Sequence, residues 1–70
     1  MIPKISAIYC IENLKTNRKY IGKSVNALER MKQHQRDLRR NDHKNEYLQR
    51  SWNKNGEKNF AFYIIEECPV

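Results

Sequence analysis

Residues 7–22 read AIYCIENLKTNRKYIG, and the remaining elements of the chain can be placed around them. Two short apolar runs, containing Tyr9 and Tyr20, flank a polar segment that is rich in turn-forming residues. Such runs on either side of a turn are typical of a β-hairpin. A four-residue loop at 13–16 would place Tyr9 directly opposite Tyr20 on one face of the sheet. A slip of one residue would separate the two phenols, and a cross-strand aromatic pair often only packs.

Hydrophobic spacing predicts the elements around this hairpin. Strands are expected at 4–12 and 18–23, and the first has apolar residues on both faces, which favours a central strand covered on both sides. Asn26, followed three residues later by Glu29, resembles a capping box that starts a first helix at Ala27–Arg40. The buried stripe of this helix is predicted to consist of Leu28, Met31 and Leu38.

The second half of the chain contains another helix and a third strand. A helix is predicted at Asn45–Asn55, where Leu48 and Trp52 lie four residues apart and face the sheet. Gly56 stands where a helix end often needs a positive φ. A strand at Phe60–Ile65 completes the pattern. The sequence therefore predicts one α+β domain, a small three-stranded antiparallel sheet in β-β-α-α-β order with the helices packed against it.

The charge and cysteine content of the chain limit the classes of partner and site that it can have. The 70 residues carry a formal charge of +6 and have a pI of about 9.6. This excess favours a polyanion, nucleic acid before membrane, although surface lysines can also serve hydration alone. Cys10 and Cys68 form no close-spaced pair and indicate reduced thiols in a cytoplasmic protein. Together with His34 and His43 they fit no compact zinc motif.

Two tripeptides and three basic residues carry a resemblance that covers most of the chain. The tripeptides Ala7-Ile8-Tyr9 and Tyr20-Ile21-Gly22, together with Arg30, His34 and His43, resemble the GIY-YIG nuclease family. Residues 48–56 look like the second-helix region of its phage homing-endonuclease branch. Ala7 replaces the family's glycine, and alanine is tolerated in a strand. The resemblance implies an endonuclease that hydrolyses phosphodiester bonds of double-stranded DNA with one divalent ion, Mg²⁺ or Mn²⁺.

The resemblance also implies a role for each residue. Tyr9 would act as the general base or align the attacking water, and Tyr20 would orient that water or the phosphate. Arg30 would hold the scissile phosphate through its planar fork. His34, four residues later on the same flank of the helix, would accept a proton from a tyrosine. His43, on the loop between the helices, would contact phosphate or relay a proton.

Cations outside this set are expected to contact the DNA backbone, which positions DNA without reading its sequence. Lys23 would also contribute to the positive field around Tyr9. Binding should be weak, sensitive to salt and largely nonspecific. The predicted contacts are Lys23, Arg36, Arg39, Arg40 and Lys44.

One family feature has no counterpart in these residues. Relatives continue with a further helix whose glutamate binds the metal, and the resemblance therefore implies an incomplete catalytic domain. Uncovered apolar strand faces in so small a domain would favour self-association. Glu66 and Glu67 follow the predicted third strand, and we interpret them as structural or solvated rather than as metal ligands. Two alternatives remain open at this point: a non-cleaving nucleic-acid-binding module with the same fold, and a small basic interaction domain in which the motif is vestigial.

Overall fold

A computed structural model describes residues 4–68 as a three-stranded antiparallel sheet with two helices. The elements are β1 (Ala7–Asn13), β2 (Arg18–Ser24), α1 (Ala27–Arg39), α2 (Glu46–Asn55), a short 3₁₀ turn (Glu57–Asn59) and β3 (Phe60–Glu67). The strand order β2-β1-β3 puts β1 at the centre. The predicted fold class, element order and central strand are confirmed. Among the described residues, neither helix has the length and apolarity needed to cross a membrane.

The hairpin register differs from the prediction. Tyr9 lies opposite Gly22, and Tyr20 lies opposite Ile11. The predicted direct pairing of the two tyrosines is therefore wrong. Because the register is offset by two residues, both side chains still point to the same face of the sheet, as diagonal neighbours.

The side chain of Asn13 explains this offset. Asn13 ends β1 instead of starting the loop, and its buried Oδ1 accepts the backbone N–H of Lys15 at 2.9 Å. The loop consists of residues 14–17, and Asn17 adopts a φ of 61°. Asparagine tolerates this left-handed conformation better than most residues do. The turn thus begins one residue later than hydrophobic spacing suggested.

Both helices pack on the face of the sheet that carries the two tyrosines. Ile11 of β1 forms one buried cluster with residues of α1, α2 and β3, namely Leu38, Leu48, Trp52 and Phe60. Ala7 and Tyr9 form a second cluster with Ala27 and Met31 of α1, which Leu28 joins at its margin. The predicted stripes of both helices are thus confirmed, and the helices hold the side chains of β1 in place.

The opposite face of the sheet is not covered by these helices, contrary to the prediction for β1. Cys10 is buried there and is flanked in register by Ile21 and Tyr63. Ile21 and Ile65 are nonetheless more than half exposed, at 59% and 51%. Apolar residues on both faces of β1 therefore did not imply a second layer of helices within residues 4–68.

The start of α1 does not use the predicted capping box. Asn26 makes no side-chain cap, and its Oδ1 is buried without a hydrogen-bond partner. The N–H of Ala27 instead donates to the carbonyl of Ile5 at 2.8 Å, which ties the helix to the segment before β1. Glu29 turns outward and pairs with Arg36 at 3.3 Å.

The ends of α2 agree better with the sequence. Asn45 caps the helix instead of being its first residue, because its Oδ1 accepts the N–H of Leu48 at 3.1 Å. Gly56 follows the last turn with a φ of 85°, which confirms the predicted positive value. A residue with a Cβ would be strained in this conformation.

A β-bulge interrupts the pairing of β1 with β3. Tyr9 lies opposite Ile64, whereas Ile8 lies opposite Glu66, so Ile65 is an extra residue on β3. The strand continues to Glu67, two residues beyond its predicted end. The bulge is adjacent to Tyr9, and bulges are common beside functional sites.

Candidate active site

All five residues predicted to be catalytic line one cleft of about 270 Å³. β1 and β2 supply Tyr9 and Tyr20, α1 supplies Arg30 and His34, and the α1–α2 loop supplies His43. The hairpin register is what brings both phenols to this side of the sheet. The other lining residues are Ile11, Ile21, Gly22, Lys44, Asn45 and Leu48.

The ring of Tyr9 lies directly against Gly22 of the neighbouring strand. A Cβ built on Gly22 would overlap Cζ and Oη of Tyr9 far inside van der Waals contact. Only glycine leaves room for the phenol at this position, so Gly22 directs the Tyr9 side chain toward α1. This is the close approach that a glycine within a strand often marks.

A chain of short contacts connects Tyr9 to both histidines. Oη of Tyr9 lies 2.8 Å from Nε2 of His34, and Nδ1 of His34 lies 2.7 Å from Nε2 of His43. The two imidazoles are stacked, with their ring planes 25° apart. Tyr9 is only 5% exposed, so its hydroxyl is held in a largely dry environment.

Partial burial lowers the pKa of both histidines. The pKa of His34 falls to about 4, first because of desolvation and then because of the positive charge of Arg30 and the proximity of His43, while Asp37 opposes the shift. The pKa of His43 is also lowered, again mainly by burial, with a smaller contribution from Arg30; Asp37 and a backbone contact with Asn45 act in the opposite direction. Both imidazoles are therefore neutral at pH 7.

We expect the stability of the domain to decrease as the pH falls from 6.5 toward 4. The folded pKa of His34 lies below its ordinary value of 6.5, so the unfolded chain binds the proton first in this range. Allowing for partial solvent screening, the loss should be roughly 1–2 kcal/mol. Urea unfolding between pH 7.5 and 4.5 measures it, and a His34→Gln variant should show a smaller slope. Equal slopes would contradict the lowered pKa.

Arg30 faces the cleft with its charge unengaged. It is exposed on α1, one turn before His34, and none of the ion pairs formed within residues 4–68 involves it. A guanidinium placed in this way can bind two oxygens of a phosphate through its planar fork. The site therefore contains a guanidinium that is unpaired among the described residues, next to the hydrogen bonds that connect Tyr9 with the two histidines.

Tyr20 is half-buried and contacts α2. Its ring packs on the cluster around Ile11, and its Oη lies 3.3 Å from Oγ of Ser51. Ser51 was not singled out by the sequence, since an isolated serine in a helix carries no signal. Its hydroxyl is within hydrogen-bond distance of the Tyr20 hydroxyl, at the side of the cleft formed by α2.

The predicted DNA-contacting cations do not form one surface. Lys44 lines the cleft, whereas Lys23 lies opposite Ile8 on the other face of the sheet, away from Tyr9. The field attributed to Lys23 around Tyr9 is therefore not supported by its position. Arg36 pairs with Glu29 at 3.3 Å, Arg39 pairs with Glu57 through two contacts of 2.8 and 2.9 Å, and Arg40 is exposed at the end of α1.

Two further polar residues support the site, and the sequence did not reveal either role. The backbone N–H of Asn45 donates to Nδ1 of His43 at 3.0 Å. Gln49, buried at 7% exposure, accepts the backbone N–H of His43 through Oε1 at 3.0 Å. A glutamine one position after the apolar Leu48 was the only available hint, and it is a weak one.

The cleft does not itself contain a set of metal ligands. No group of three histidine, cysteine, aspartate or glutamate side chains within residues 4–68 is arranged to hold an ion. Glu66 and Glu67 are exposed at the end of β3 and do not line the cleft. The lining residues are neutral or cationic, whereas Mg²⁺ prefers carboxylate oxygens, so these residues alone do not fit it.

Comparison with known proteins gives consistent matches. The sequence profile of the GIY-YIG catalytic domain matches residues 5–70. Intron-associated endonuclease 1 of Enterobacteria phage T4 is 41% identical over 64 residues, which is 91% of this chain and 26% of that protein.

Solved structures of a related domain superpose closely. The catalytic domain of homing endonuclease I-TevI matches with a TM-score of 0.85 at 38% identity, over 93% of this chain and 70% of that one. A mutant of the same domain gives a TM-score of 0.83 at 40% identity, over 93% and 66% of the two chains. The chain thus spans about a quarter of the full-length relative.

Proposed function

Because this chain belongs to the GIY-YIG catalytic domain family, we propose that it supplies the DNA-cleaving centre of a homing-type endonuclease. The observation that carries the proposal is the convergence of Tyr9, Tyr20, Arg30, His34 and His43 on one cleft. A vestigial motif would have no reason to keep five such side chains together. The non-cleaving alternative has no observation of its own in its favour.

Each side chain has a role that fits its position. Arg30 binds the scissile phosphate and offsets the charge that develops on its oxygens. Tyr9 holds the attacking water through its hydroxyl, which is kept in place by His34 at 2.8 Å. Tyr20, anchored near Ser51, orients the phosphate or the same water. His43 contacts Nδ1 of His34 and so supports this ring on the side away from Tyr9, rather than contacting the phosphate itself.

A divalent ion, Mg²⁺ or Mn²⁺, is part of the proposal, because nucleases of this family generally depend on one. None of the described residues that line the cleft carries a carboxylate, and the family resemblance implies a glutamate as the metal ligand. When bound, such an ion would stabilise charge on the phosphate oxygens. The residues described here bind and orient the phosphate and the water.

We propose double-stranded DNA as the substrate, in the cytoplasm, with contacts mainly to its backbone. Lys44 in the cleft and the exposed Arg40 are the best placed of the predicted cations. Arg36 and Arg39 already neutralise carboxylates, and Lys23 points to the other face. With so few free cations near the cleft, binding should be weak and salt-dependent.

Replacing Tyr9 with phenylalanine tests the function. Tyr9→Phe should reduce Mg²⁺-dependent plasmid nicking by about 10²–10³-fold. Its stability should change by only about 1 kcal/mol, because the ring stays in the core. Tyr63→Phe is the matched control: that phenol lies on the other face and donates to Glu12. Undiminished nicking by Tyr9→Phe, or no nicking by the unaltered protein, would overturn the proposal.

A further inference from the structure

The hydrogen bonds around the two histidines end at a group whose role cannot change. Nδ1 of His43 lies 3.0 Å from the backbone N–H of Asn45. A backbone N–H only donates, so Nδ1 of His43 has to present a lone pair to it. A neutral imidazole that accepts at one nitrogen carries its proton on the other. The proton of His43 is therefore on Nε2.

The position of the His43 proton determines the direction of the other two hydrogen bonds. Nε2–H of His43 donates to Nδ1 of His34 over 2.7 Å, so His34 also carries its proton on Nε2. Nε2–H of His34 then donates to Oη of Tyr9 over 2.8 Å. The phenol accepts from His34, and its own proton has to point elsewhere, into the cleft.

We propose that the Asn45 backbone amide sets a one-directional hydrogen-bond chain through His43 and His34, so that His34 donates to Tyr9 and the Tyr9 proton faces the substrate. The use of this proton in catalysis rests on the proposed function, whereas its direction does not. The family resemblance suggested the reverse, with His34 accepting a proton from a tyrosine. In the neutral pair, the nitrogen facing Tyr9 is already protonated.

Gln49 is the positioning residue of this hydrogen-bond chain. Its Nε2 donates to the carbonyl of Leu38 at 3.1 Å and to Oδ1 of Asn53 at 3.0 Å. Because the Leu38 carbonyl only accepts, the orientation of the Gln49 amide is fixed, and Oε1 has to face the backbone N–H of His43. Gln49 thereby holds the His43 backbone between the end of α1 and the first turns of α2.

The arrangement also disfavours adding a proton. A second proton on His43 would sit on Nδ1. Its N–H would then face the N–H of Asn45, and no lone pair would remain on Nδ1 to accept that hydrogen bond. A second proton on His34 would require His43 to reverse its tautomer and meet the same conflict. Burial, the largest cause of the lowered pKa of both imidazoles, also disfavours a second proton.

Nitrogen NMR of the ¹⁵N-labelled 70-residue chain at pH 7, without DNA or metal, tests the proposal. In both histidines Nε2 should give the chemical shift of a protonated nitrogen and Nδ1 that of an unprotonated one. A proton on Nδ1 of either ring would overturn the direction of the chain. If the shifts are as expected but the protein does not cleave DNA, the proposed function fails and this inference stands.

A variant tests the positioning role. Gln49→Leu should release the His43 backbone, mix the tautomers of His34 and raise its NMR-determined pKa by about one unit. Gln35→Leu is the matched control, since Gln35 makes no side-chain hydrogen bond within residues 4–68. Circular dichroism verifies folding in both variants. Unchanged tautomers and titration in a folded Gln49→Leu protein would exclude the role of Gln49. If that variant does not fold, Gln49→Met, which has nearly the same length and no acceptor for the His43 backbone, replaces it with the same expected outcomes.

Discussion

Substituting Gly22 with alanine is expected to remove cleavage activity and to destabilise the domain at the same time. The added methyl group would occupy the space of the Tyr9 phenol, from Cζ to the hydroxyl. Either the ring swings out of the cleft or β2 separates from β1. Overpacking of this kind typically costs about 1–3 kcal/mol. Displacing Oη from His34 should lower the rate of nicking by about 10²-fold or more.

Gly56→Ala is the control for the Gly22 experiment. An added Cβ at Gly56 meets no atom within 4 Å, but the φ of 85° strains any other residue. This variant should therefore lose about 1 kcal/mol of stability and keep its activity. Urea unfolding measures the stability, and plasmid nicking measures the activity. If Gly22→Ala has the same stability and the same rate of nicking as the unaltered protein, the ring of Tyr9 does not rest on Gly22.

Removal of the Arg30 guanidinium is expected to cause the largest loss of activity with the least structural change. Arg30 is exposed and belongs to neither buried cluster, so Arg30→Ala should leave stability within about 0.5 kcal/mol. Cleavage should fall by about 10³-fold, because a fixed cation on the phosphate acts mainly on the charge of the transition state.

Arg30→Lys separates charge from shape. Lysine keeps the positive charge but lacks the planar fork, so we expect it to recover only a small part of the activity. Arg18→Ala provides a matched loss of an arginine, on β2 and outside the cleft lining, and should nick at the normal rate. Full activity of Arg30→Lys would show that charge alone suffices and that two-point phosphate binding is not required.

The sequence predicted the fold well where local rules and packing agree. The apolar stripes at Met31 and Leu38 and at Leu48 and Trp52 lie in the core, and Gly56 has the expected positive φ. Errors arose where a single hydrogen bond decided between near-equal alternatives. The buried amide of Asn13 moved the hairpin loop by one residue, and the carbonyl of Ile5 replaced the predicted cap of α1.

The sequence predicted which side chains line the cleft, but not the hydrogen bonds that connect them. Residue spacing and family resemblance identify Tyr9, Arg30 and His34, because each is a distinctive residue type. The contact of Gly22 with the phenol depends on cross-strand register, which was misjudged by two positions. The contribution of Asn45 comes from its backbone, which no side-chain pattern records. Lys23 was placed on the wrong side because charge alone does not indicate which face of a strand a residue occupies.

The extra residue on β3 has a consequence for comparing this chain with its relatives. Ile65 separates two registers of the β1–β3 pairing. Before it, the even-numbered residues from Phe60 to Ile64 lie on the same face as Tyr9. After it, Glu67 pairs with Ala7 on that face, and Glu66 pairs with Ile8 on the opposite face. A relative of the same length that paired without the bulge would place its residue 65 opposite Ile8 and would thereby exchange the faces of the two carboxylates without changing either amino acid. Alignment of acidic residues beyond this point therefore requires structural superposition, since identical letters can lie on opposite surfaces.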